Sequence, residues 1–309
     1  MSVLRQALDD YLTLRRALGY QLIRSEKLLN QFLEYLENDG VATLTVARAL
    51  SWARLPADGA VNWWAHRLSV VRGFATYLHA LDPHTEIPPP DLLPSRPSRA
   101  NPYLYSEGDI AALLAATASL STPLRQATFR TLIGLLTVTG MRIGEAIRLD
   151  LDDIDFTNGL LLVRRSKFGK SRELLLHPTT LRALAHYLRL HRRQLRPAAT
   201  TPAILISTAG TRLMYCNVQW TFQRLLRQAG MTARSTSSRP RIHDLRHSFA
   251  VRSLLDAYAA GEDGQKTLTL LSTYLGHVNP AGTYWYLSAS PELMGVVGQR
   301  LERYLGVRR

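Results

Sequence analysis

Apolar residues recur at helical spacing through the first 86 residues of the chain. One stripe occupies residues 4–12 and ends near Gly19, and a second occupies residues 28–36. A side-chain oxygen just before such a stripe typically caps the first turn of a helix, so Ser25 is expected to begin the second helix. The pattern predicts a helical region rather than a sheet.

Two more helices are expected at about residues 45–54 and 60–80. Bulky aromatic side chains at helical spacing are typical of a core. Five such residues are therefore expected to fill the interior of this helical region: Trp52, Trp63, Trp64, Phe74 and Tyr77.

Residues 87–102 contain six prolines in sixteen positions. Proline removes a backbone donor and blocks a helix, so this stretch predicts a stiff, extended linker. The chain is therefore expected to have two domains, at residues 1–86 and 103–309. The linker arginines, Arg96 and Arg99, are expected either to touch a polyanion or to be merely solvated.

The second domain is expected to be mainly helical with a small β-hairpin, an α+β arrangement. Ser106 and Asp109 have the spacing of a capping box, and residues 122–138 form an apolar helix that Gly140 ends. Periodicity then changes to that of strands at residues 160–163 and 173–176. Helical spacing resumes at residue 178, with a short strand expected at 203–206. Turns are expected at two dipeptides, Asn158-Gly159 and Phe168-Gly169.

The formal net charge of +14 indicates a polyanionic partner, and nucleic acid is the usual one. Residues 1–95 have a net charge of −1, whereas residues 96–309 have a net charge of +15. The second domain is therefore expected to bind the polyanion most strongly. A basic protein without such a partner is the alternative.

The single cysteine, Cys216, excludes an intramolecular disulfide and fits a reducing cytoplasm. The first residues include acids where a signal peptide would be apolar. The longest stretch without Lys, Arg, Asp or Glu is 267–291, and its His, Asn, Pro and Gly residues exclude a membrane span. The expected location is cytoplasmic.

Residues 139–149 contain Arg142 at the start of a predicted helix, where the helix N-terminus favours an anion. Glu145 lies three positions later on the same helix face, and is expected to hold Arg142 in place. An ordinary surface ion pair is the other interpretation of this spacing.

The predicted hairpin tip is basic. The chain has only four lysines against 34 arginines, and two of the four, Lys167 and Lys170, lie on this tip. A lysine can give up its proton when its pKa is lowered, whereas an arginine cannot near neutral pH. The tip therefore predicts a general acid, with chance placement or simple phosphate contact as the alternatives.

His243 and Arg246 are three positions apart at the start of another predicted helix, so they share a face. The guanidinium can donate to two phosphate oxygens, and the imidazole can bond a third or move a proton. Metal binding is disfavoured because no second cluster of His, Cys or carboxylates accompanies the pair. His247 is expected to pack on the opposite face.

Gly276 and His277 end a helical stretch, and Tyr286 follows nine residues after the histidine. One tyrosine among thirteen is usually structural. The ordered set of segments, rather than any one residue, indicates chemistry.

That set resembles the tyrosine recombinase family, which includes phage-type integrases and Xer-type resolvases. The family has an Arg in T-G-x-R-x-x-E, a hairpin Lys, H-x-x-R, G-H and a Tyr about nine residues later. The resemblance covers about residues 103–309. The position in the K-x-x-K-x-R run selects Lys167 over Lys170, and the spacing from His277 selects Tyr286 over Tyr284. The matching catalytic residues are Arg142, Lys167, His243, Arg246, His277 and Tyr286, with Glu145 in support.

The resemblance implies that residues 1–86 form a helical, SAM-like core-binding domain and residues 103–309 the catalytic domain. It implies cleavage and rejoining of duplex DNA through a 3′-phosphotyrosine on Tyr286, with His243 as base or proton relay and Lys167 as general acid. It also implies a homotetramer on two DNA sites, accessory DNA-bending proteins and a nucleoid-associated location. The expected reaction uses no cofactor and no metal, because Arg142 and Arg246 would neutralise the phosphate.

Residues 292–309 form a predicted amphipathic last helix. The resemblance implies docking on a neighbouring copy, and packing on the chain's own core is the alternative. Competing functions are a type IB topoisomerase, which would relax supercoils without paired sites, a DNA-binding regulator with an inactive site, and a basic scaffold. The complete ordered set favours the recombinase.

Overall fold

The computed structural model describes residues 2–41, 43–55, 57–94, 101–164, 166, 169–189, 201–235, 238–276, 295 and 302. The chain divides into two compact units, Met1–Arg99 and Ala100–Arg309. The predicted last helix at 292–309 lies outside the described residues, apart from Gly295 and Glu302.

The first unit is helical, as its apolar spacing predicts. Its helices are α1 (Val3–Ala17), α2 (Ile23–Asn38), α3 (Val46–Ala53) and α4 (Val61–Leu81). Each helix turns its apolar stripe inward, so Leu29, Phe32, Leu33 and Leu36 of α2 are fully buried. These side chains form one core with residues of the other three helices.

Two expectations for this unit are wrong. Ser25 does not cap α2, because the N-cap is Leu22, which takes a left-handed conformation (φ 51°) three residues before Ser25. Trp63 is not in the core. It lies in the first turn of α4, with 41% of its surface exposed, and its ring contacts His66 at a centroid distance of 5.7 Å. The expectation for Trp52 and Phe74 is confirmed, since both are buried.

Residues 87–94 lie against the first unit rather than forming a free extended linker. Arg72 of α4 donates to the carbonyls of Pro88 and Pro89 at 2.7 and 2.8 Å, and Leu93 is buried in the helical core. Proline leaves its carbonyl available as an acceptor, so a proline-rich segment can be held in this way. The predicted boundaries at residues 86 and 103 stay a prediction.

The second unit is mainly helical with a small sheet, which confirms the predicted mixture of elements. Its helices are α5 (Glu107–Ala116), α6 (Pro123–Thr139), α7 (Ile143–Arg148), α8 (Pro178–His186), α9 (Tyr215–Gln228), α10 (Asp244–Ala259) and α11 (Gly264–Leu275), with short 3₁₀ turns at Thr117–Ser119 and Leu151–Asp153. The predicted Ser106–Asp109 capping box at the start of α5 is confirmed, with both reciprocal bonds present.

The sheet has three antiparallel strands, β1 (Ile154–Asp155), β2 (Leu160–Val163) and β3 (Arg172–Leu175), in that order. The register pairs Leu161 with Leu174 and Val163 with Arg172, so Arg172 lies at the end of the hairpin nearest its tip. Strand β1 was not predicted from the sequence. The strand expected at 203–206 is limited to isolated bridges at Ala203 and Ile206.

The core of the second unit joins the sheet to α5–α9. Fully buried aliphatic residues come from each layer, including Leu132 of α6, Leu161 of β2 and Leu225 of α9. A smaller cluster holds α10 against α11 through residues such as Leu254 and Leu275. This second contact fixes the end of α11 relative to the start of α10, where the candidate chemistry lies.

Candidate active site

The turn between α6 and α7 presents Arg142. Gly140 ends α6 in the left-handed conformation (φ 58°), and an added Cβ there would collide with the ring of Phe249. Both facts require glycine at this position. Arg142 is then the residue that precedes the first turn of α7, as predicted. Its side chain is 24% exposed, so it remains open to a ligand.

Glu145 holds Arg142, as expected from their spacing. One carboxylate oxygen accepts from Arg142 Nη1 at 2.9 Å and the other from the Arg142 backbone N–H at 2.9 Å. The Glu145 side chain is 1% exposed, which makes this a buried ion pair rather than the surface pair of the alternative interpretation.

Arg172 is a second partner of the same carboxylate. Its Nη1 donates to Glu145 Oε1 at 3.2 Å and its Nη2 donates to Oε2 at 2.8 Å. Burial alone would raise the pKa of Glu145, but the hydrogen bonds and charge of Arg172, together with the bonds from Arg142, outweigh it and lower the pKa to about 2. The carboxylate is therefore ionised at neutral pH.

Arg246 is almost completely buried, with 2% of its surface exposed. Its Nη1 donates to the carbonyl of Gly140 at 2.9 Å and its Nη2 donates to the carbonyl of Leu275 at 2.8 Å. The guanidinium thus bridges the α6–α7 turn and the end of α11. A buried guanidinium held by backbone carbonyls keeps a fixed position, because neither partner can rotate away.

The last turn of α11 is held by three arginines. The carbonyls of Tyr274, Leu275 and Gly276 are three consecutive acceptors, and they receive Arg172 Nε at 2.7 Å, Arg246 Nη2 at 2.8 Å and Arg142 Nη2 at 3.4 Å. Carbonyls at a helix C-terminus have no partner within the helix and carry partial negative charge, so they favour cations. Gly276 ends α11 in the left-handed conformation (φ 69°), which confirms the predicted helix end.

His243 immediately precedes α10, and Arg246 follows within its first turn. The start of this helix is fixed by Arg241, which donates to the fully buried carboxylate of Asp244 from its backbone N–H, Nε and Nη2 at 2.8–3.0 Å. Tyr105 also holds α10, because its backbone N–H donates to Ser248 Oγ at 2.7 Å.

The imidazole of His243 keeps an exposed face, yet its pKa is lowered to about 4. Burial by the surrounding protein is the largest cause, and the charges of His247, Arg246 and Arg142 act in the same direction, while Asp244 opposes them. The ring is therefore neutral at pH 7 and can accept a proton.

The expectation for His247 is wrong. Its ring meets that of His243 edge to face, at a centroid distance of 5.1 Å and an interplanar angle of 90°. Residues four positions apart lie on the same face of a helix, which explains the contact.

The structure brings four of the predicted residues together: Arg142, Glu145, His243 and Arg246. Three others, Lys167, His277 and Tyr286, lie outside the described residues, as do Phe168 of the predicted turn and Tyr284. Lys170 is described and exposed, and its carbonyl accepts from the Ser166 backbone N–H at 2.7 Å.

Sequence reasoning missed Arg172. Its sequence signal is its place as the arginine that ends the K-x-x-K-x-R run of the basic hairpin, and the structure makes it the first residue of β3. Its partners are 27 and 102 residues away in the chain, so no local pattern could identify them.

The described cluster can bind and polarise an anionic group. Arg142 and Arg172 donate to the carboxylate of Glu145, and Arg246 joins them through the last turn of α11, so these four side chains have a net charge of +2 at neutral pH. Fixed positive charge of this kind stabilises charge that develops on a phosphoryl group in a transition state. Within the described part of the chain, no group of three or more His, Cys, Asp or Glu residues could hold a metal ion. No helix in that part is long and apolar enough to cross a membrane.

A model of the phage integrase family matches residues 105–292. The proposed integrase/recombinase y4rB of Sinorhizobium fredii is 44% identical over 308 residues, which cover 98% of each chain. The tyrosine recombinase XerD of Mycobacterium tuberculosis is 29% identical over 298 residues, which cover 90% of each chain. A crystal structure of a lambda integrase tetramer bound to a Holliday junction has the same fold, with a TM-score of 0.61, 19% identity, and coverage of 92% of this chain and 76% of that one.

Proposed function

The chain belongs to the phage integrase family, and we propose that it cuts and rejoins duplex DNA with Tyr286 as the nucleophile. Site-specific tyrosine recombination is the activity of this family, so the enzyme class follows from membership. The observation that best supports the assignment of residues is the buried arginine cluster on the last turn of α11, because a phosphodiester needs fixed positive charge before it can be attacked.

In the proposed first step, the Tyr286 oxygen attacks the scissile phosphorus. The bond from phosphorus to the 5′-oxygen breaks, which leaves a 3′-phosphotyrosine and a free 5′-hydroxyl. His243 takes the phenol proton, directly or by relay, and its lowered pKa means that it is neutral and able to do so at pH 7. Lys167 gives a proton to the departing 5′-oxygen.

In the second step, a 5′-hydroxyl of another strand attacks the phosphotyrosine and gives its proton to Lys167, and the Tyr286 oxygen leaves with a proton returned by His243. One phosphodiester is exchanged for another, so rejoining needs no ATP. Arg142 and Arg246 neutralise the non-bridging oxygens in both steps, and His277 donates a hydrogen bond to one of them. The guanidiniums supply the charge that two metal ions supply in many other phosphodiester-cleaving enzymes, and the proposed reaction therefore uses no metal.

The proposed partners are duplex DNA recombination sites, bound by four copies of the chain. The lambda integrase tetramer on a Holliday junction supports this assembly, since that protein has the same fold. Accessory DNA-bending proteins and a nucleoid-associated, cytoplasmic location belong to the same proposal. Residues 100–309 have 27 Lys and Arg against 14 Asp and Glu, and this net charge of +13 supports DNA binding by the second unit.

The test is a covalent trapping experiment. A randomised pool of nicked duplexes is incubated with the protein in EDTA, protein-linked DNA is recovered over repeated rounds, and the enriched duplex is run with the protein on a denaturing gel. In a nicked duplex the short fragment that carries the 5′-hydroxyl diffuses away, so the phosphotyrosine accumulates. Tyr286→Phe is the variant, and Tyr284→Phe is its matched control.

A covalent band in wild type and Tyr284→Phe that is lost in Tyr286→Phe supports the proposal. A band that survives in Tyr286→Phe overturns the assignment of the nucleophile. No band from wild type after enrichment, or a band that EDTA abolishes, overturns the proposed chemistry. A supercoiled plasmid with a single site provides a further arm, because relaxation as fast as adduct formation would instead indicate a topoisomerase.

A further inference from the structure

Arg172 is the one arginine of the cluster that the proposed reaction does not use. Its guanidinium is bonded on both edges, with Nε on the carbonyl of Tyr274 and Nη1 and Nη2 on the carboxylate of Glu145. Its side chain is 12% exposed, half the value for Arg142. Arg172 therefore offers a phosphate less open surface than Arg142 does, and all three of its nitrogens already donate to protein acceptors.

The carboxylate of Glu145 is shared between two guanidiniums. Arg142 and Arg172 each make two of its four hydrogen bonds, at distances of 2.8–3.2 Å. One negative charge cannot neutralise two positive ones, so the three groups keep a net charge of +1. If Arg172 were absent, Arg142 and Glu145 would form a neutral pair, and Arg142 would attract a phosphate less strongly.

We infer that Arg172 is a positioning residue. It balances the charge of Glu145, so that the Arg142–Glu145 pair is not left neutral and Arg142 stays oriented towards a phosphate. This inference rests on the proposed function, since it concerns the same site. It adds a role for a residue that makes no contact with DNA in the proposed reaction.

A second observation supports the same role. The bond from Arg172 to Tyr274 ties the hairpin to the last turn of α11, whose next two carbonyls hold Arg246 and Arg142. The approach is close, because a Cβ on Gly276 would lie 3.1 Å from Arg172 Nη1. Loss of Arg172 would thus remove two of the four hydrogen bonds to Glu145 and one of the three arginine bonds to the helix turn that orients Arg142 and Arg246.

The experiment compares Arg172→Met, which loses charge and hydrogen bonds, with Arg172→Lys, which keeps the charge but not the planar fork. The control is Arg164→Met. Arg164 follows β2 on the same hairpin and pairs with the buried Asp153, so this variant also removes one positive charge and one ion pair, but outside the cluster.

Two quantities are measured on the duplex recovered by the trapping selection: the single-turnover rate of adduct formation at saturating protein, and the dissociation constant in a Tyr286→Phe background. Arg172→Met is expected to slow adduct formation by roughly 10- to 100-fold, the range found for residues that orient metal ligands in the same indirect way. Its affinity for DNA should fall no further than that of Arg164→Met. Arg172→Lys should have an intermediate rate.

Adduct formation by Arg172→Met at the rate of Arg164→Met would overturn the inference. A rate loss matched by an equal loss of affinity would overturn it too, because that result describes a DNA contact. If Arg172→Met does not fold, as judged by circular dichroism, Arg172→Lys decides, and a wild-type rate in that variant counts against the inference. Failure of the wild type to form any adduct would instead overturn the proposed function.

An acid titration without DNA tests the link to Glu145 separately. The hydrogen bonds and charge of Arg172 lower the pKa of Glu145, so their loss should raise it and move acid unfolding to higher pH in Arg172→Met than in Arg164→Met. Equal acid-unfolding midpoints in the two variants would show that Arg172 does not control the Glu145 charge.

Discussion

Replacement of Glu145 by glutamine tests the buried carboxylate directly. Glutamine has almost the same shape but no charge, and its NH₂ group replaces an acceptor with a donor. Both carboxylate oxygens of Glu145 act as acceptors, and their partners are two arginine side chains and one backbone N–H. The variant therefore loses the ion pairs. Its NH₂ group would also face an arginine N–H group, so that two donors meet without an acceptor at a side chain that is 1% exposed.

The magnitude follows from the pKa of Glu145. The shift from an ordinary value of 4.5 to about 2 is worth about 3 kcal/mol, since one unit is about 1.4 kcal/mol. Removing one partner of a buried ion pair typically costs about 3–5 kcal/mol, which agrees. Glu145→Gln should therefore lower the free energy of unfolding at pH 7 by about 3 kcal/mol.

The direction of the Glu145 pKa shift predicts how this loss of stability depends on pH. A carboxyl whose pKa is depressed on folding contributes its full stability above the unfolded pKa, near 4.5, and loses it as the pH falls through the folded pKa, near 2. Below that range the wild-type carboxyl is protonated and resembles glutamine. The difference between wild type and variant should be constant above about pH 5 and shrink towards pH 2.

The assay is urea unfolding, followed by circular dichroism from pH 7 to pH 3, with the transitions of the two units fitted separately. Glu37→Gln is the matched control, because Glu37 makes three hydrogen bonds to Arg5 but is one third exposed, so its loss should change stability little. A loss below about 1 kcal/mol in Glu145→Gln, or a loss as large at pH 3 as at pH 7, would refute the electrostatic reasoning.

Three other perturbations are informative. Gly140→Ala should lower the melting temperature and slow adduct formation, because it forces a left-handed alanine against Phe249, a conformation that costs about 1–2 kcal/mol before any clash; an unchanged melting temperature would contradict this. His243 should titrate near pH 4 in the free protein, measured by NMR of its ring, and its pKa should rise when DNA brings a phosphate close; a free-protein value near 6.5 would contradict the lowered pKa. Ser106→Ala should cost about 1 kcal/mol of stability through loss of the capping box with Asp109, and the rate of adduct formation should not change.

Much of the fold could be predicted because its signals are local. Apolar spacing located α1, α3, α4 and α6 to within a residue or two, and glycine at residues 140 and 276 marked helix ends that the structure confirms. A backbone conformation that the residue type does not favour could not be predicted. Leucine rarely adopts positive φ, so nothing in the sequence indicated that Leu22 would begin α2.

The candidate site was predictable where residues three positions apart meet across one helix turn, as Arg142 and Glu145 do. It was not predictable where the contact depends on tertiary structure. The fork of Arg172 on Glu145 joins β3 to α7, and the burial of Arg246 depends on the end of α11. Sequence spacing predicts which side chains share a face, but not which distant carbonyl will satisfy a guanidinium.

The three arginines that donate to the last carbonyls of α11 also determine when the site can form during synthesis of the chain. Their acceptors, residues 274–276, are made 134 residues after Arg142 and 102 residues after Arg172. A nascent chain that stops short of residue 274 has the three arginines, Glu145 and the Gly140 carbonyl, but lacks the three α11 carbonyls that complete their hydrogen bonds. The described arginine cluster is thus assembled only after residues 274–276 have been translated, so a ribosomal product that ends before them lacks the oriented arginines of the proposed site.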